Sequence, residues 1–210
     1  MNKLGDLGCK EFLTELASAA PAPGGGGGAA MAGALAAALA SMVANLTIGK
    51  EKFADREPEV KELLKQAEAE RVRLLQLADD DAAVFNSFMS CYKLPKTTDE
   101  EKAARTAAIR AAAKQAATVP LNIARSSFAV LKLADRLVVA GNPGVITDGA
   151  CSGLLARAAL RCAEYNVRIN LGLTKDEAWN VQAAAELKQL LAEAETLENR
   201  LLAVTDKALQ

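Results

Sequence analysis

The sequence contains no histidine, and its four cysteines are scattered along the chain. Cys9, Cys91, Cys151 and Cys162 form no Cys-x-x-Cys pair, so the clustered nitrogen and sulfur ligands of structural zinc sites are missing. We therefore expect no metal site, and four free, buried thiols in the reducing cytoplasm. Acid–base chemistry must then use a carboxylate, lysine, tyrosine or cysteine side chain.

The chain also lacks a strong net charge and a strongly apolar membrane segment. Its formal net charge of −1 gives no indication of binding to nucleic acid or to an anionic membrane. Residues 29–46 approach the length of a membrane span, but they consist mainly of alanine and other small residues. We interpret them as the central helix of a soluble bundle, in which small side chains let neighbouring backbones approach closely.

Aromatic residues make up only 4% of the chain, and its apolar content is mainly alanine, leucine and valine. Alanine and leucine are strong helix formers, and apolar residues recur at helical period along most of the sequence. We predict an all-α fold, with one domain over residues 1–210. It is a bundle of about six to seven helices, with long kinked helices whose Ala-rich faces favour a homodimer.

Proline, glycine and capping residues predict where the helices begin and end. Pro120 should kink or split the fourth helix. The pattern Thr98-x-x-Glu101 predicts a capping box that opens that helix, and Thr174-x-x-Glu177 predicts a second one that opens the last helix. Gly172 is expected to end the fifth helix.

Residues 20–28 read Ala-Pro-Ala-Pro followed by five glycines, and they lead directly into the Ala-rich helix. Glycine has no Cβ, so this segment can bring its peptide N–H groups close to a ligand or another chain. The helix start behind it carries unpaired N–H donors and a positive dipole end. The alternative interpretation is a flexible linker.

Two aspartates lie at positions that suggest a specific role for the carboxylate. Asp81 shares the apolar face of its helix with Leu74 and Phe85, at helical spacing. It is either functional or a buried structural residue that a helix end or an arginine satisfies. Asp148 follows the turn Gly141–Gly144 at a predicted helix start, where either Asp148 or the preceding Thr147 can serve as the N-cap. The N-cap role and a functional role can coexist at Asp148.

Other polar residues appear abruptly among apolar ones. Asn166 lies eighteen residues, or five helical turns, after Asp148 and shares its face; Asn170 lies one turn further on. These amides indicate polar contacts at a pocket or interface, or an interhelical hydrogen bond. At the C-terminal end of the Ala-rich helix, Asn45, Thr47 and Lys50 can hold an anionic substrate, although the helix dipole alone favours a lysine there.

Together these segments resemble the formiminotetrahydrofolate cyclodeaminase / methenyltetrahydrofolate cyclohydrolase family, over nearly the whole chain. The segments that carry the resemblance are residues 21–26, 42–47, 49–50, 81–85, 119–120, 141–143, 147–148 and 166–171. The chain departs from the family pattern at Gly144, where the family often has asparagine, and at Thr147, where it often has serine.

The resemblance implies an all-helical homodimer that binds a reduced folate and acts on the carbon between N5 and N10. The expected reaction is hydrolysis of 5,10-methenyltetrahydrofolate to 10-formyltetrahydrofolate; the alternative is release of ammonia from 5-formiminotetrahydrofolate. The expected catalytic residues are Asp148 first, then Asp81, with Lys50 as an anchor or proton donor. The expected substrate-binding residues are Pro23, Gly24, Gly25, Gly26, Asn45, Thr47, Asn142, Asn166 and Asn170.

Both reactions need proton transfers to and from N5, N10 and water, and burial raises a carboxylate pKa toward the useful range. No metal or redox cofactor is expected, since the tetrahydrofolate derivative is itself the substrate. The rival interpretation is a non-catalytic helical interaction protein, whose polar clusters serve dimer packing. An enzyme should gather the glycine loop, Asn45, Lys50, Asp81 and Asp148 in one pocket.

Overall fold

The computed structural model describes residues 3–210. Its six helices are α1 (Cys9–Leu16), α2 (Gly25–Asn45), α3 (Glu57–Cys91), α4 (Asp99–Ala140), α5 (Ile146–Thr174) and α6 (Glu177–Ala208). Short 3-10 turns lie at Leu4–Asp6, Glu51–Phe53 and Pro143–Val145. Residues 3–210 contain no β-strand, and the predicted all-α fold is confirmed.

Helix α2 lies at the centre of the bundle, where it packs against α3, α4 and α5. Twelve of its 21 residues are buried, a larger share than in any other helix of the described chain. At Gly33 a Cβ atom would lie 3.0 Å from both Leu74 Cδ2 and Ser127 Oγ, so any side chain there would have to displace neighbouring side chains of α3 and α4. Within residues 3–210, α2 is the one helix long and apolar enough to span a membrane. Of its apolar 18-residue stretch, 61% is buried in the protein.

Pro120 was expected to kink or split α4; the helix continues through it over 42 residues, so the split is wrong. Proline has no N–H to donate, which leaves the carbonyl of Ala116, four residues earlier, without its helical partner. Asn170 of α5 replaces that partner, because its Nδ2 donates to the Ala116 carbonyl oxygen at 2.9 Å. A side chain fifty residues away in sequence therefore compensates for the proline.

The first predicted capping box is confirmed, and the second is wrong. In Thr98-x-x-Glu101 the Glu101 N–H donates to Thr98 Oγ1 at 3.2 Å, while the Glu101 carboxylate accepts from the Thr98 N–H at 3.1 Å. Helix α5, however, continues through Gly172 to Thr174 and ends where Lys175 adopts the left-handed conformation, with φ 56°. Asp176 then caps α6 by accepting from the Trp179 N–H at 3.1 Å.

All four cysteines are free, as expected, but they are not buried. Cys9, Cys151 and Cys162 are exposed, and Cys91 is half-buried. The exposure of Cys151 and Cys162 has a simple geometric reason. Both lie on the outer face of α5, away from the helices that cover its inner face.

Candidate functional site

A pocket of about 170 Å³ lies where the N-terminal end of α2 meets α3, α4 and the C-terminal half of α5. Its polar lining consists of Asp81, Asn166, Asn170 and the backbone of Gly24, Gly25 and Gly26. Its apolar lining includes Val84, Phe85, Phe88, Val119 and Pro120. The pocket therefore brings together six of the residues that the sequence predicts for the site.

Asp81 is the only ionisable side chain in this lining. Its carboxylate lies directly on the first turn of α2, where a Cβ atom on Gly26 would be 2.6 Å from Asp81 Cγ. Glycine at position 26 is therefore what makes room for the carboxylate. Burial raises the pKa of Asp81 above its ordinary value of 3.8, against the smaller, lowering effect of a hydrogen bond from the Gly27 backbone. The carboxyl group is suited to exchanging protons closer to neutral pH.

The glycine segment forms the floor of the pocket beside Asp81. Gly24 is the N-cap of α2 and offers no side chain to the first-turn N–H groups, so the backbone of Gly25 and Gly26 presents a positive helix end to the pocket. Pro23 is buried beneath this turn, after a cis Ala22–Pro23 peptide bond. A Cβ atom on Gly27 would lie 3.4 Å from Pro23 Cβ, and Pro23 does not line the pocket.

Asn166 and Asn170 form the wall contributed by α5. Asn166 donates to the Cys162 carbonyl at 2.9 Å. Asn170 uses both of its N–H bonds, one toward Ala116 and one toward the Asn166 carbonyl at 2.8 Å. The side-chain oxygens are therefore the atoms that both amides keep available for hydrogen-bond donors of a ligand. Asn170 also makes an interhelical hydrogen bond, to Ala116 of α4, which was the alternative interpretation of these two amides.

The sequence reasoning missed the apolar wall opposite these amides. Phe85 is 37% exposed and Phe88 is buried, and the Phe88 ring packs edge-on against Tyr92 with 5.3 Å between ring centroids. Phe85 and Phe88 follow Asp81 by one and two turns of α3. Their shared face with Asp81 is the sequence signal that could have placed them in the site. A flat aromatic ligand can lie against such a wall.

The other predicted site residues lie at the opposite end of α2. Thr47 is buried; its hydroxyl donates to the Val43 carbonyl at 2.7 Å and accepts from the Asn142 N–H at 2.8 Å. The Asn142 side chain donates to the Leu46 carbonyl at 3.1 Å and accepts from the Gly144 N–H at 3.0 Å. Thr47 and Asn142 thus join the end of α2 to the loop before α5, and their polar atoms are occupied within the chain.

Asn45, Lys50 and Asp148 remain available at this second end. Asn45 and Lys50 are exposed, and Asp148 is half-buried. None of the three side chains makes a hydrogen bond or ion pair with another residue of the described chain. Asp148 is not the N-cap of α5, because the helix begins at Ile146 and has Val145 as its N-cap. Thr147 likewise lies inside the first turn.

The two groups cannot form one pocket within a single chain. Asp148 and Asn166 share a face of α5, but eighteen residues of helix separate them by roughly 27 Å. The expectation of a single pocket that gathers the glycine loop, Asn45, Lys50, Asp81 and Asp148 is therefore wrong for the isolated chain. The sequence analysis treated Asp148 and Asn166 as neighbours because they share a face of α5, although five helical turns separate them. Within residues 3–210, no three Cys, Asp or Glu side chains are grouped as a metal site.

Comparison with known proteins places these residues in a family. The model of the formiminotransferase-cyclodeaminase family matches residues 8–189. The chain belongs to this family. It is 45% identical over 197 residues to the methenyltetrahydrofolate cyclohydrolase of Methylorubrum extorquens, a match that covers 94% of the chain and 95% of that protein. The resemblance inferred from the sequence is confirmed.

Other relatives carry the cyclodeaminase name. The chain is 33% identical to the formimidoyltransferase-cyclodeaminase of Sus scrofa over 89% of its own length, but it spans only 35% of that protein. The crystal structure of formiminotetrahydrofolate cyclodeaminase from Thermotoga maritima superposes with a TM-score of 0.88, at 30% identity and with 98% of each chain covered. Relatives of the chain thus carry both the cyclohydrolase and the cyclodeaminase name, and the solved cyclodeaminase shares its all-helical fold.

Proposed function

We propose that the protein hydrolyses 5,10-methenyltetrahydrofolate to 10-formyltetrahydrofolate. The observation that supports this most strongly is the 45% identity to a methenyltetrahydrofolate cyclohydrolase along 95% of that protein. The site supports it independently. The Asp81 carboxyl, whose pKa is raised by burial, faces this partly apolar pocket beside two amide side chains and the start of α2.

Asp81 serves in this proposal as the group that moves protons. The methenyl carbon between N5 and N10 is already electrophilic, so water can add to it once a base removes a proton. The N5–carbon bond then breaks, one water-derived proton ends on N5 and the other leaves to solvent, and the carbon becomes the formyl group on N10. A carboxyl whose pKa is raised toward neutrality can accept the first proton and return it to N5. Nothing is oxidised or reduced, so we propose that no redox cofactor or metal is required.

The remaining lining orients the substrate. The substrate's flat ring system packs against Phe85 and Phe88, while the oxygens of Asn166 and Asn170 accept from its ring N–H groups. The N–H groups at the start of α2 face the carbonyl or developing negative charge. This arrangement holds the bridge carbon beside Asp81 and keeps bulk water from the apolar wall.

Formiminotetrahydrofolate cyclodeaminase activity is the second candidate. The observation that favours it is the close superposition on the Thermotoga maritima cyclodeaminase. Both reactions pass through a tetrahedral carbon between N5 and N10, so the same proton relay at Asp81 serves either. Only the leaving group differs, since ammonia departs in one case and N5 in the other.

We also propose a homodimer in the cytoplasm. Helices α2 and α5 lie side by side and expose apolar residues on one shared surface, the α2/α5 face. It consists of Leu35, Met42 and Leu46 from α2, and Cys151, Leu154, Ala158, Cys162, Tyr165 and Ile169 from α5. These residues cover about 17 Å of α2 and about 27 Å of α5, so with α-helices about 10 Å wide the face measures roughly 440 Å². Apolar patches of about 300–600 Å² on a protein surface are often functional, and exposed free thiols on it suit a reducing compartment.

The dimer has a direct test with a matched control. Leu154 is 42% exposed at the middle of the α2/α5 face, and Val181 is 69% exposed on α6, outside that face. Leu154→Arg should give a monomer in light scattering at micromolar concentration, whereas Val181→Arg should leave the dimer intact. A wild-type monomer under the same conditions would contradict the proposed dimer.

The activity is tested by incubating the purified protein with each folate. The proposal predicts loss of the near-ultraviolet absorbance of the methenyl compound much faster than its spontaneous hydrolysis, with formation of 10-formyltetrahydrofolate. Ammonia release from 5-formiminotetrahydrofolate at a higher kcat/KM would favour the second candidate. No acceleration of either reaction would support the non-catalytic interaction protein instead.

A further inference from the structure

The Asp81 pocket has room for only part of a folate. Its volume is about 170 Å³, whereas pockets for small-molecule ligands usually measure roughly 300–1,000 Å³. Its lining also contains no lysine or arginine, although the glutamate portion of a folate carries two carboxylates. The proposed substrate therefore extends beyond the pocket, and its carboxylates need a cation there.

Helices α3 and α4 form an antiparallel hairpin, closed by residues 92–98, that carries the face of the pocket outward. On α3, Asp81 lines the pocket and Tyr92 follows it by eleven residues. On α4, Ala116 lines the pocket and Arg105 precedes it by eleven residues. Eleven residues are close to three full helical turns, so Tyr92 and Arg105 share the faces of the two pocket residues and lie roughly 16 Å beyond them.

Direct contacts join Arg105 to the wall of the pocket. Phe88 lines the pocket, and its ring packs edge-on against Tyr92 with 5.3 Å between ring centroids. The guanidinium of Arg105 lies over the Tyr92 ring, with Cζ 5.5 Å from the ring centroid. Its Nη2 also donates to the Tyr92 carbonyl at 3.3 Å. A row of three side chains thus leads from the apolar wall to a positive charge.

Arg105 has no anionic partner in the part of the chain that the structure describes. No carboxylate of residues 3–210 forms an ion pair with it. Its Nε–H is buried and has no hydrogen-bond acceptor among those residues, which is unfavourable for a charged donor. A guanidinium pairs with a carboxylate through two parallel hydrogen bonds. The surroundings of Arg105 therefore suit a ligand that brings a carboxylate.

We infer that Arg105 binds a carboxylate on the glutamate portion of the folate, and that the α3/α4 hairpin forms the outer half of the site. The inference rests on the proposed function for the identity of the ligand. From a bridge carbon beside Asp81, the glutamate carboxylates lie roughly 11–13 Å away along the extended substrate. A hydrogen bond of about 2.9 Å to the guanidinium makes up most of the remaining distance. The p-aminobenzoyl ring then lies beside Tyr92, which is 43% exposed.

A kinetic comparison of two substrates tests the contact. The first is 5,10-methenyltetrahydrofolate, and the second is 5,10-methenyltetrahydropteroate, which lacks the glutamate. Arg105→Ala should raise KM for the first about 10–100-fold, as expected for the loss of hydrogen bonds to a charged group. It should leave kcat unchanged, and it should leave KM for the second substrate at the wild-type value. Arg105→Lys keeps the charge and should recover part of the loss.

Arg110→Ala is the matched control, because Arg110 is an exposed arginine of the same helix outside this face. It should keep the wild-type KM for both substrates. An equal rise of KM for both substrates in Arg105→Ala, or no rise for either, would overturn the inference.

Calorimetric titration gives a readout that does not depend on activity. Wild type should bind 5-formyltetrahydrofolate about 10–100-fold more tightly than Arg105→Ala does, and both should bind 5-formyltetrahydropteroate equally. A lower melting temperature of Arg105→Ala with an unchanged Kd would mean that Arg105 only stabilises the hairpin. That result would overturn the inference and leave the proposed function intact. Failure of the wild-type protein to bind either compound would contradict the proposed function as well.

Discussion

Replacing Asp81 with asparagine tests whether its carboxyl group acts in proton transfer, apart from its role in the packing of the fold. Asparagine has nearly the same shape, and its side-chain oxygen can still accept the hydrogen bond from the Gly27 backbone. It cannot exchange a proton. General acid–base groups contribute about 10²–10⁴-fold to rate, so kcat for methenyl hydrolysis should fall by that factor while KM changes little.

The structure also predicts the stability of Asp81→Asn. No lysine or arginine in residues 3–210 pairs with Asp81. The loss of about 3–5 kcal/mol that follows when a buried ion pair is broken is therefore not expected. Burial of the charged carboxylate without a cation is unfavourable, so the melting temperature at neutral pH should be unchanged or higher.

The pH dependence follows from the sign of the shift. The folded protein holds the Asp81 proton at pH values where the unfolded chain, with a pKa near 3.8, has lost it. The stability that Asp81 contributes is thus greatest below 3.8 and declines as pH rises through the raised pKa of the folded state. Asp81→Asn should lack this decline. Because the base must be ionised, the acid limb of the wild-type kcat/KM profile should lie above the usual carboxyl range.

The assay compares wild type, Asp81→Asn and Asp80→Asn for rate and melting temperature across pH. Asp80 is the adjacent carboxylate, but it accepts from Gln76 Nε2 at 2.9 Å and does not line the pocket. Asp80→Asn should retain the wild-type rate. Full activity in Asp81→Asn, or an equal loss in both variants, would refute the role assigned to Asp81.

Two further substitutions test the surroundings of the pocket. Gly26→Ala should lower kcat about a hundredfold by displacing the carboxylate, whereas Gly28→Ala, whose Cβ has room, should keep the rate and gain about 0.5–1 kcal/mol; equal rates would contradict the close contact. Asn170→Ala should cost about 1–3 kcal/mol in urea unfolding, because the Ala116 carbonyl is left unpaired. Adding Pro120→Ala should restore much of this by supplying the missing N–H; an additive loss would contradict the compensation.

Local patterns in the sequence were sufficient for most of the helices. Alanine-rich and leucine-rich stretches at helical period, with Thr98 as a cap, determine structure through neighbours within a few residues. The continuity of α4 through Pro120 depends instead on a residue distant in sequence. The hydrogen bond that keeps α4 continuous comes from Asn170, and no local pattern reveals that these two helices meet.

The site was predicted in parts rather than as an arrangement. Asp81 on an apolar face and the glycine segment were both found, because a carboxylate and a bare backbone stand out in such surroundings. Asp148 was placed beside Asn166 since the two share a face of α5. Periodicity fixes the angle around a helix and carries no information about which distant ends meet in space or in a dimer.

The most direct measurement is a crystal structure with a bound, hydrolysis-resistant 5-formyl analogue of tetrahydrofolate. The N5 position should lie within about 2.6–3.2 Å of the Asp81 carboxylate, against Phe85. A folate bound at Asp148 away from any Asp81, or bound outside the Asp81 pocket altogether, would contradict the proposed site and its chemistry.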